Sequence, residues 1–148
     1  MRRASRILTL DANVLIAALK GDEFHNRECA EIVGRVPDPF LLSEPSVIYQ
    51  EVCGTLARRV GRAVADKAKE QLDHAVHPKL LVNCSRSFCV SAYPLCSEYE
   101  IYAMEALYLR VALDKNAVLV SLDKEDFIDK VKSKRLGVEA YYVPDFPY

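Results

Sequence analysis

The sequence predicts an α/β fold in which a parallel sheet is covered by helices on both faces. Short, continuous apolar segments, each long enough for one strand, alternate along the chain with longer segments of helical period. Strands that are apolar at almost every position are typical of parallel sheets, because helices bury both faces of such a sheet. The length of 148 residues is that of one ordinary domain, and we expect residues 1–148 to form it.

The first half of the chain is predicted to contain two strands and four helices. In chain order these are a strand over 6–10, helices over 13–19 and 24–36, a strand over 40–42, a helix with apolar period over 47–60, and a charged helix that ends near residue 74. Lys20 and Gly21 end the first helix, and the Pro-Asp-Pro sequence at 37–39 ends the second.

The second half is predicted to contain four short strands and one long helix. Apolar segments predict the strands over 80–82, 87–92, 117–122 and 138–143. Ser97 is followed three residues later by Glu100, which fits a capping box. We therefore expect a helix to begin there and to run to about residue 115.

Composition excludes several classes of protein. The net charge of −1 argues against a histone-like polycation, although it allows local basic patches. The sequence has no apolar run of 18 residues, and its first apolar run is too short for a secretory signal, so we expect a cytoplasmic protein without a membrane span. The five cysteines include no C-x-x-C pair, which predicts free, buried thiols rather than a zinc site; one disulfide among Cys84, Cys89 and Cys96 stays open.

Two acids follow strands of the predicted sheet directly. Asp11 comes immediately after the first strand, and Asp123 comes immediately after the segment Val-Leu-Val-Ser-Leu. Ligands of open α/β sheets bind beyond the carboxyl ends of the strands. We therefore expect both carboxylates to lie at the same edge of the sheet.

Two further acids lie on apolar helix faces. Glu51 shares its predicted face with Val47, Ile48 and Thr55. Glu105 is in the same situation, since its face carries the side chains Ile101, Tyr108 and Ala112. Any one of these acids alone is as well explained by a salt bridge or by a carboxylate that reaches solvent, but four such acids are harder to explain in that way.

The four acids together predict a metal centre. Carboxylates that cluster repel one another, and a hard divalent cation such as Mg²⁺ or Mn²⁺ keeps them ionised. Such a site suits metal-assisted hydrolysis of a phosphodiester. Asn13 and Ser121 are candidates to orient it, although a helix cap and a small core hydroxyl explain them equally well. Asp126 is either an accessory ligand or an exposed loop acid.

The ordered motifs resemble those of the PIN-domain nucleases, and among them the VapC-type toxins of toxin–antitoxin pairs. LDANVLIAAL is similar to the first motif of that family, with Asp11 and Asn13 at its characteristic positions, and LLSEPSVIYQEVCGTL is similar to the second, which contributes Glu51. EALYLRVALDKNAVLVSLD resembles the third and fourth motifs and contributes Glu105 and Asp123. The third acid of the family is usually Asp, so Glu105 is a departure from the pattern.

The resemblance implies a three-layer α/β/α fold and a Mg²⁺- or Mn²⁺-dependent ribonuclease, commonly a homodimer that an antitoxin inhibits. A homodimer is also expected because the apolar faces over 47–60 and 101–112 exceed what one core needs. We expect RNA phosphates to contact Arg58, Arg59 and Arg62 in preference to a second basic cluster, which consists of Lys130, Lys132, Lys134 and Arg135.

Two other classes of protein are disfavoured by specific residues of the sequence, and two variants of the PIN interpretation stay open. A dehalogenase-type phosphatase needs a second Asp where this chain has Asn13, and a receiver domain needs a Lys after a late strand, where this chain has Asp123. A PIN fold that binds without cutting stays open because of Glu105. A PIN nuclease that processes RNA, rather than a toxin, also stays open.

Overall fold

The computed structural model describes residues 6–148, and within them five parallel strands form one sheet. The strands are β1 (Arg6–Leu10), β2 (Phe40–Pro45), β3 (Val76–Val82), β4 (Val118–Ser121) and β5 (Ala140–Tyr142). Their order across the sheet is β3-β2-β1-β4-β5, and every neighbouring pair is parallel. The chain thus leaves β1 towards one side and returns to its other side at β4. This places a topological switch point, where ligands of α/β sheets bind, between β1 and β4.

Helices follow most of the strands. They are α1 (Ala12–Leu19), α2 (Asn26–Val33), α3 (Thr55–Arg59), α4 (Arg62–Ala75), α5 (Arg86–Tyr99), α6 (Ala103–Lys115) and α7 (Asp129–Ser133). A π-helical turn, Tyr49–Gly54, leads into α3, a second one, Lys124–Ile128, leads into α7, and a 3₁₀ turn follows β5 over Val143–Asp145. α6 packs on β1, β2 and β4, and α1 packs on β1 and β4. The predicted three-layer α/β/α fold with a central parallel sheet is confirmed.

The core is built on the two central strands. Leu8, Leu10, Leu119 and Val120 are fully buried, as the continuous apolar runs predicted. None of the helices described in 6–148 is long and apolar enough to cross a bilayer. The single domain was predicted over 1–148, of which residues 1–5 lie outside the described range. That these residues form one domain stays a prediction.

Two predictions for the segment before α6 are wrong. Residues 87–92, predicted as a strand, belong to α5, which begins where the Ser85 hydroxyl accepts a hydrogen bond from the Phe88 backbone N–H. The predicted capping box at Ser97 lies inside the same helix. Glu100 takes a left-handed conformation (φ 56°) that ends α5, and Tyr102 then precedes the first turn of α6. A period of three to four residues (Phe88, Ala92, Leu95) turns the apolar side chains of α5 inwards, and Pro94 obscured it.

Strand β3 starts four residues earlier than predicted and contains Pro78. It lies at the edge of the sheet, where a proline without a backbone N–H costs little. The cysteines of the described chain are free thiols, of which Cys29 is buried and Cys89 is exposed, so the expectation of buried thiols is confirmed only for Cys29.

Candidate functional site

A cavity of about 500 Å³ opens at the carboxyl edge of the sheet, beside the switch point. Four of the predicted site residues line it, namely Asp11, Asn13, Glu51 and Glu105. The cavity lining also includes Arg59, which was predicted to contact RNA, and Glu23 and Tyr102, which were not predicted as site residues. β1, the first π-helical turn and α6 each contribute one acid, so the parallel sheet brings together carboxylates that are far apart in sequence.

Two hydrogen bonds hold Asp11, one through its backbone and one through its side chain. Its backbone N–H donates to the carbonyl oxygen of Val120 at 3.0 Å, which continues the β1–β4 pairing beyond the end of β1. Its Oδ2 accepts a hydrogen bond of 2.7 Å from the Ser121 hydroxyl. The side chain is almost wholly buried, and burial, reinforced by the charges of Glu51 and Asp123, raises the pKa of Asp11 to about 7.

Ser121 is the centre of this hydrogen-bond network. Its Oγ donates to Asp11 and accepts from the backbone N–H of Asp123 at 3.0 Å and from Nδ2 of Asn13 at 3.3 Å. A hydroxyl has one proton and two lone pairs, so all of its hydrogen-bonding capacity is used. Asn13 completes the connection, because its Oδ1 accepts from the Leu122 N–H at 3.1 Å. The structure therefore places Asn13 and Ser121 where they fix the ends of β1 and β4 together.

Glu51 lies in the π-helical turn that precedes α3. Single π-helical turns are frequent at functional sites, because the extra residue in the turn displaces the side chains from regular helical spacing. Oε1 of Glu51 is buried and has no hydrogen-bond partner among residues 6–148. Burial raises the pKa of this carboxyl above its usual value, whereas the nearby Tyr108 hydroxyl lowers it.

Glu105 lies in the first turn of α6 and interacts with the acids of both central strands. Burial raises its pKa to about 9, and the neighbouring carboxyl group of Asp123 and the charges of Asp11 and Asp126 act in the same direction. Its Oε2 is buried, and none of the described residues hydrogen-bonds to it. The Glu that replaces the usual Asp therefore still reaches the group of carboxylates.

Asp123, a predicted ligand, and Asp126 do not line the cavity, although Leu122, next to Asp123, does. Oδ1 of Asp123 accepts a hydrogen bond from the Asp126 N–H at 3.1 Å, so Asp123 also caps the second π-helical turn. Asp126 is exposed, yet its charge contributes to the raised pKa of Glu105. Both explanations offered for Asp126, accessory ligand and loop acid, are compatible with this position.

Sequence reasoning did not identify Glu44. This residue of β2 is fully buried, and its Oε1 accepts a hydrogen bond of 2.7 Å from the Leu10 backbone N–H, one residue before Asp11. Burial raises its pKa well above the usual range for a glutamate, with the charges of Asp11 and Glu51 acting in the same direction. The sequence did contain a signal, since Glu44 comes only two residues after the apolar run Phe-Leu-Leu of a predicted strand.

The basic residues predicted to contact RNA differ in whether they reach the cavity. Arg59 lines the cavity and lies 3.7 Å from the Glu23 carboxylate, whereas Arg62 is exposed and pairs with Asp66. Arg58 is exposed on α3, outside the cavity lining. From the second cluster, the Lys130 ammonium lies 5.2 Å from the centre of the Tyr102 ring, at the cavity rim.

Most of the apolar side chains that prompted the homodimer prediction are buried within the single chain. They include Ile48, Val52, Leu56, Tyr108 and Leu109. Within the same two ranges, 47–60 and 101–112, the side chains Val60, Tyr102 and Met104 are exposed. The homodimer stays a prediction, without support from the buried residues.

The donor set fits a hard cation, although the side chains are not gathered around one point. No three Asp, Glu, His or Cys side chains within 6–148 stand close enough together to form a ready-made metal site. Two carboxylate oxygens, Oε1 of Glu51 and Oε2 of Glu105, are nevertheless buried without a partner among those residues. Buried carboxylate oxygens in this state are costly unless a cation or a proton satisfies them.

The PIN domain family model matches residues 8–133, which include all four acids. No curated protein matches the chain significantly in sequence. Solved structures do resemble it in fold. The Mycobacterium tuberculosis toxin VapC20, described as cleaving the sarcin–ricin loop, has a TM-score of 0.66 at 15% identity, over 80% of this chain and 91% of that one.

Two further solved structures have the same fold. VapBC-1 from nontypeable Haemophilus influenzae gives a TM-score of 0.65 at 17% identity, over 94% of this chain and 99% of that chain. A toxin–antitoxin complex from Klebsiella pneumoniae gives a TM-score of 0.62 at 18% identity, over 80% of this chain and 88% of that chain. At these identities the likeness concerns the fold.

Proposed function

Because the chain belongs to the PIN domain family, we propose that it is a metal-dependent endoribonuclease and the toxin of a VapBC-type toxin–antitoxin pair. The observation that carries the proposal is that Asp11, Glu51 and Glu105 line one cavity at the carboxyl edge of the sheet, and that the charge of Asp123 acts on Asp11 and on Glu105. Burial and mutual repulsion raise the pKa of two of them, to about 7 for Asp11 and about 9 for Glu105. Such a group of carboxyls needs a positive partner to be ionised at neutral pH.

The four carboxylates would hold one or two Mg²⁺ or Mn²⁺ ions. Bound there, the metal would polarise a phosphodiester and lower the pKa of water that attacks it. The chain supplies the geometry: the Ser121 hydroxyl keeps Asp11 in one rotamer, and Asn13 connects the two strand ends. Within the described part of the chain we assign no side chain as a nucleophile.

The cavity walls supply contacts suited to single-stranded RNA. Arg59 brings a guanidinium to the cavity although the net charge of the protein is only −1, and Glu23 holds it there. On the other side Tyr102 is 60% exposed and lies next to the Lys130 ammonium. A cation for phosphate and an aromatic ring for a base are the two contacts that unpaired nucleotides use.

The partners are proposed from the relatives. The fold neighbour from Klebsiella pneumoniae is described as a toxin–antitoxin complex, so we place an antitoxin protein beside this chain, with both in the cytoplasm together with the RNA. We also retain the homodimer, for which light scattering at several protein concentrations is the test. A mass that stays that of one 16.7 kDa chain at all concentrations would exclude it.

The alternative is a PIN fold that binds RNA or protein without cutting. Glu105 favours this alternative, because it replaces the usual Asp and because its raised pKa opposes ionisation. In that case the protein would bind RNA in a filter-binding assay, and the RNA would stay intact in the presence of Mn²⁺ or Mg²⁺.

Cleavage of a mixed RNA pool by the purified protein, with Mn²⁺, with Mg²⁺ and with a chelator, decides between the two. We expect metal-dependent cutting by the wild type and at least a 100-fold lower rate for Asp11→Asn. Asp114→Asn is the matched control, since Asp114 pairs with Arg110 on α6, outside the cavity lining, and should cut at the wild-type rate. Full-rate cutting by Asp11→Asn would refute the proposal.

A further inference from the structure

The segment formed by the first π-helical turn and α3 presents three different faces to its surroundings. The face towards the cavity at the carboxyl edge of the sheet carries Glu51, Thr55 and Arg59. The face buried in the core carries Ile48, Val52 and Leu56. The third face lines a groove against α4 and carries Tyr49, Cys53 and Ala57. The rotation of this segment about its own axis therefore decides whether Glu51 faces the cavity.

A side-chain hydrogen bond connects the π-helical turn to α4. The hydroxyl of Tyr49, the first residue of the turn, donates to Oδ1 of Asp73 at 2.7 Å. The other oxygen of that carboxylate, Oδ2, accepts from Nζ of Lys69 at 2.7 Å, one helical turn earlier on α4. Lys69 therefore keeps the Asp73 carboxylate in the orientation in which it accepts from Tyr49.

Tyr49 and Glu51 lie on different sides of the turn. Residues two apart in a helix do not face each other, and these two line separate spaces, Tyr49 the groove against α4 and Glu51 the cavity. A hydrogen bond that fixes the Tyr49 side of the turn therefore also fixes the direction of Glu51. Glu51 depends on such support, because its Oε1 is buried without a hydrogen-bond partner among residues 6–148.

A π-helical turn needs such an anchor more than an α-helix does. The residues on either side of it, Ile48 and Thr55, have α-helical backbone angles, and π-helices are rare and occur mostly as single turns within α-helices. Conversion of the turn to α-helix shifts the residues before it by one position, which is a rotation of about 100° about the helix axis. Glu51 would then point away from the cavity, and Tyr49 away from Asp73.

We propose that Tyr49 and Asp73 are positioning residues, whose hydrogen bond holds the π-helical turn in the rotation that points Glu51 into the cavity. The proposal rests on the proposed function, in which Glu51 is a metal ligand. Neither Tyr49 nor Asp73 lines the cavity, so both act through the turn and not on the metal or the RNA. Their hydrogen bond raises the fraction of molecules in which the turn is ready for the metal, and the apparent metal affinity follows that fraction.

The test is the Mn²⁺ dissociation constant, measured by calorimetry on the full chain without RNA. Tyr49→Phe removes the hydroxyl and Asp73→Ala removes its acceptor, and each should raise the dissociation constant by about threefold to tenfold, the range that the loss of one hydrogen bond allows. The double variant should bind Mn²⁺ no more weakly than either single variant, because both interrupt the same contact. Asp73→Asn retains an acceptor for Tyr49 and should bind Mn²⁺ within about twofold of wild type.

Asp66→Ala is the matched control. Asp66 also lies on α4 and pairs with a basic residue of its own helix, Arg62, at 3.7 Å, as Asp73 does with Lys69. Its loss removes the same charge from α4 but leaves the Tyr49–Asp73 hydrogen bond in place, so Mn²⁺ affinity should stay at the wild-type value. Wild-type affinity in Tyr49→Phe, or equal losses in Asp73→Asn and Asp73→Ala, would overturn the proposal.

A second measurement does not depend on metal. Amide hydrogen exchange, followed by NMR, should be about threefold to tenfold faster over residues 49–55 in Tyr49→Phe and Asp73→Ala than in wild type, and unchanged in β1 and β4. Faster exchange throughout the chain would show a general loss of stability and would overturn the proposal. If the wild type binds no Mn²⁺, the proposed function fails, and exchange in the turn then decides on the hydrogen bond alone.

Discussion

Replacing Ser121 by alanine removes the one side chain that joins both strand-end acids. The variant loses the 2.7 Å bond to the Asp11 carboxyl and the 3.0 Å bond from the Asp123 N–H, and it leaves Asn13 without its 3.3 Å contact. A buried hydrogen bond to a charged group contributes about 2 kcal/mol and a neutral one about 1 kcal/mol. With the long Asn13 contact neglected, we expect the free energy of unfolding to fall by about 3 kcal/mol.

Two assays check this prediction. Urea denaturation followed by circular dichroism gives the stability, and ¹³C NMR of the Asp11 carboxyl gives its titration. The Ser121 hydrogen bond lowers the pKa of Asp11, so the alanine variant should titrate above the wild-type pKa of about 7. Ser43→Ala is the control: Ser43 is equally buried but makes one hydrogen bond, to the Leu80 carbonyl, and should lose only about 1 kcal/mol. Equal losses in the two variants, with an unchanged Asp11 titration, would refute the reasoning.

Three other predictions concern the charge of the site and its substrate. Asp11 and Glu105 have raised pKa values, of about 7 and about 9, so the folded chain binds more protons than the unfolded chain from about pH 4 to 9. The metal-free protein should therefore be less stable to urea at pH 9 than at pH 6. Bound Mg²⁺ should reduce this difference in stability. Stability that is equal or greater at pH 9 would contradict this. Glu105→Asp should cut RNA at least as fast as wild type and Glu105→Gln at least tenfold more slowly, whereas equal rates in all three would remove Glu105 from the site. In the Asp11→Asn background, Tyr102→Ala should weaken binding of single-stranded RNA by about tenfold, as expected for one stacked base, and Tyr102→Phe should not; fluorescence anisotropy measures both, and equal binding by the two variants would exclude stacking.

The sequence predicted the parts of the site that follow from local pattern. Asp11 and Asp123 each follow an apolar strand, and the carboxyl ends of parallel strands share an edge, so their proximity needed no knowledge of the tertiary structure. Ser121 was predicted beside them because residues two apart in a strand point to the same side. The acids on apolar helix faces, Glu51 and Glu105, were detected because a carboxylate there conflicts with helical amphipathicity.

The rest depends on contacts that one sequence does not specify. Glu44 is distinguished from an ordinary acid near a strand end by one contact, because its side chain accepts a hydrogen bond from the Leu10 N–H. That contact exists only because β1 lies beside β2 in the sheet. The π-helical turn at Glu51 has no signal in residue type. α5 was missed because Pro94 and two cysteines reduce its apparent helical propensity, while Phe88 and Leu95 still pack inwards. Most of the apolar surface assigned to a dimer lies in the core of one chain, since burial depends on the neighbouring elements, and the homodimer stays a prediction.

The most direct test of the central claim is RNA cleavage in ¹⁸O-labelled water with Mg²⁺, followed by mass spectrometry of the product ends. If the carboxylates around Asp11 bind a metal that activates water, the new terminal phosphate of the wild-type products should carry one ¹⁸O atom, and no 2′,3′-cyclic phosphate should form. Chelator and Asp11→Asn should each abolish the labelled product. Cyclic phosphate ends, or cleavage that persists at full rate in the chelator, would contradict the account.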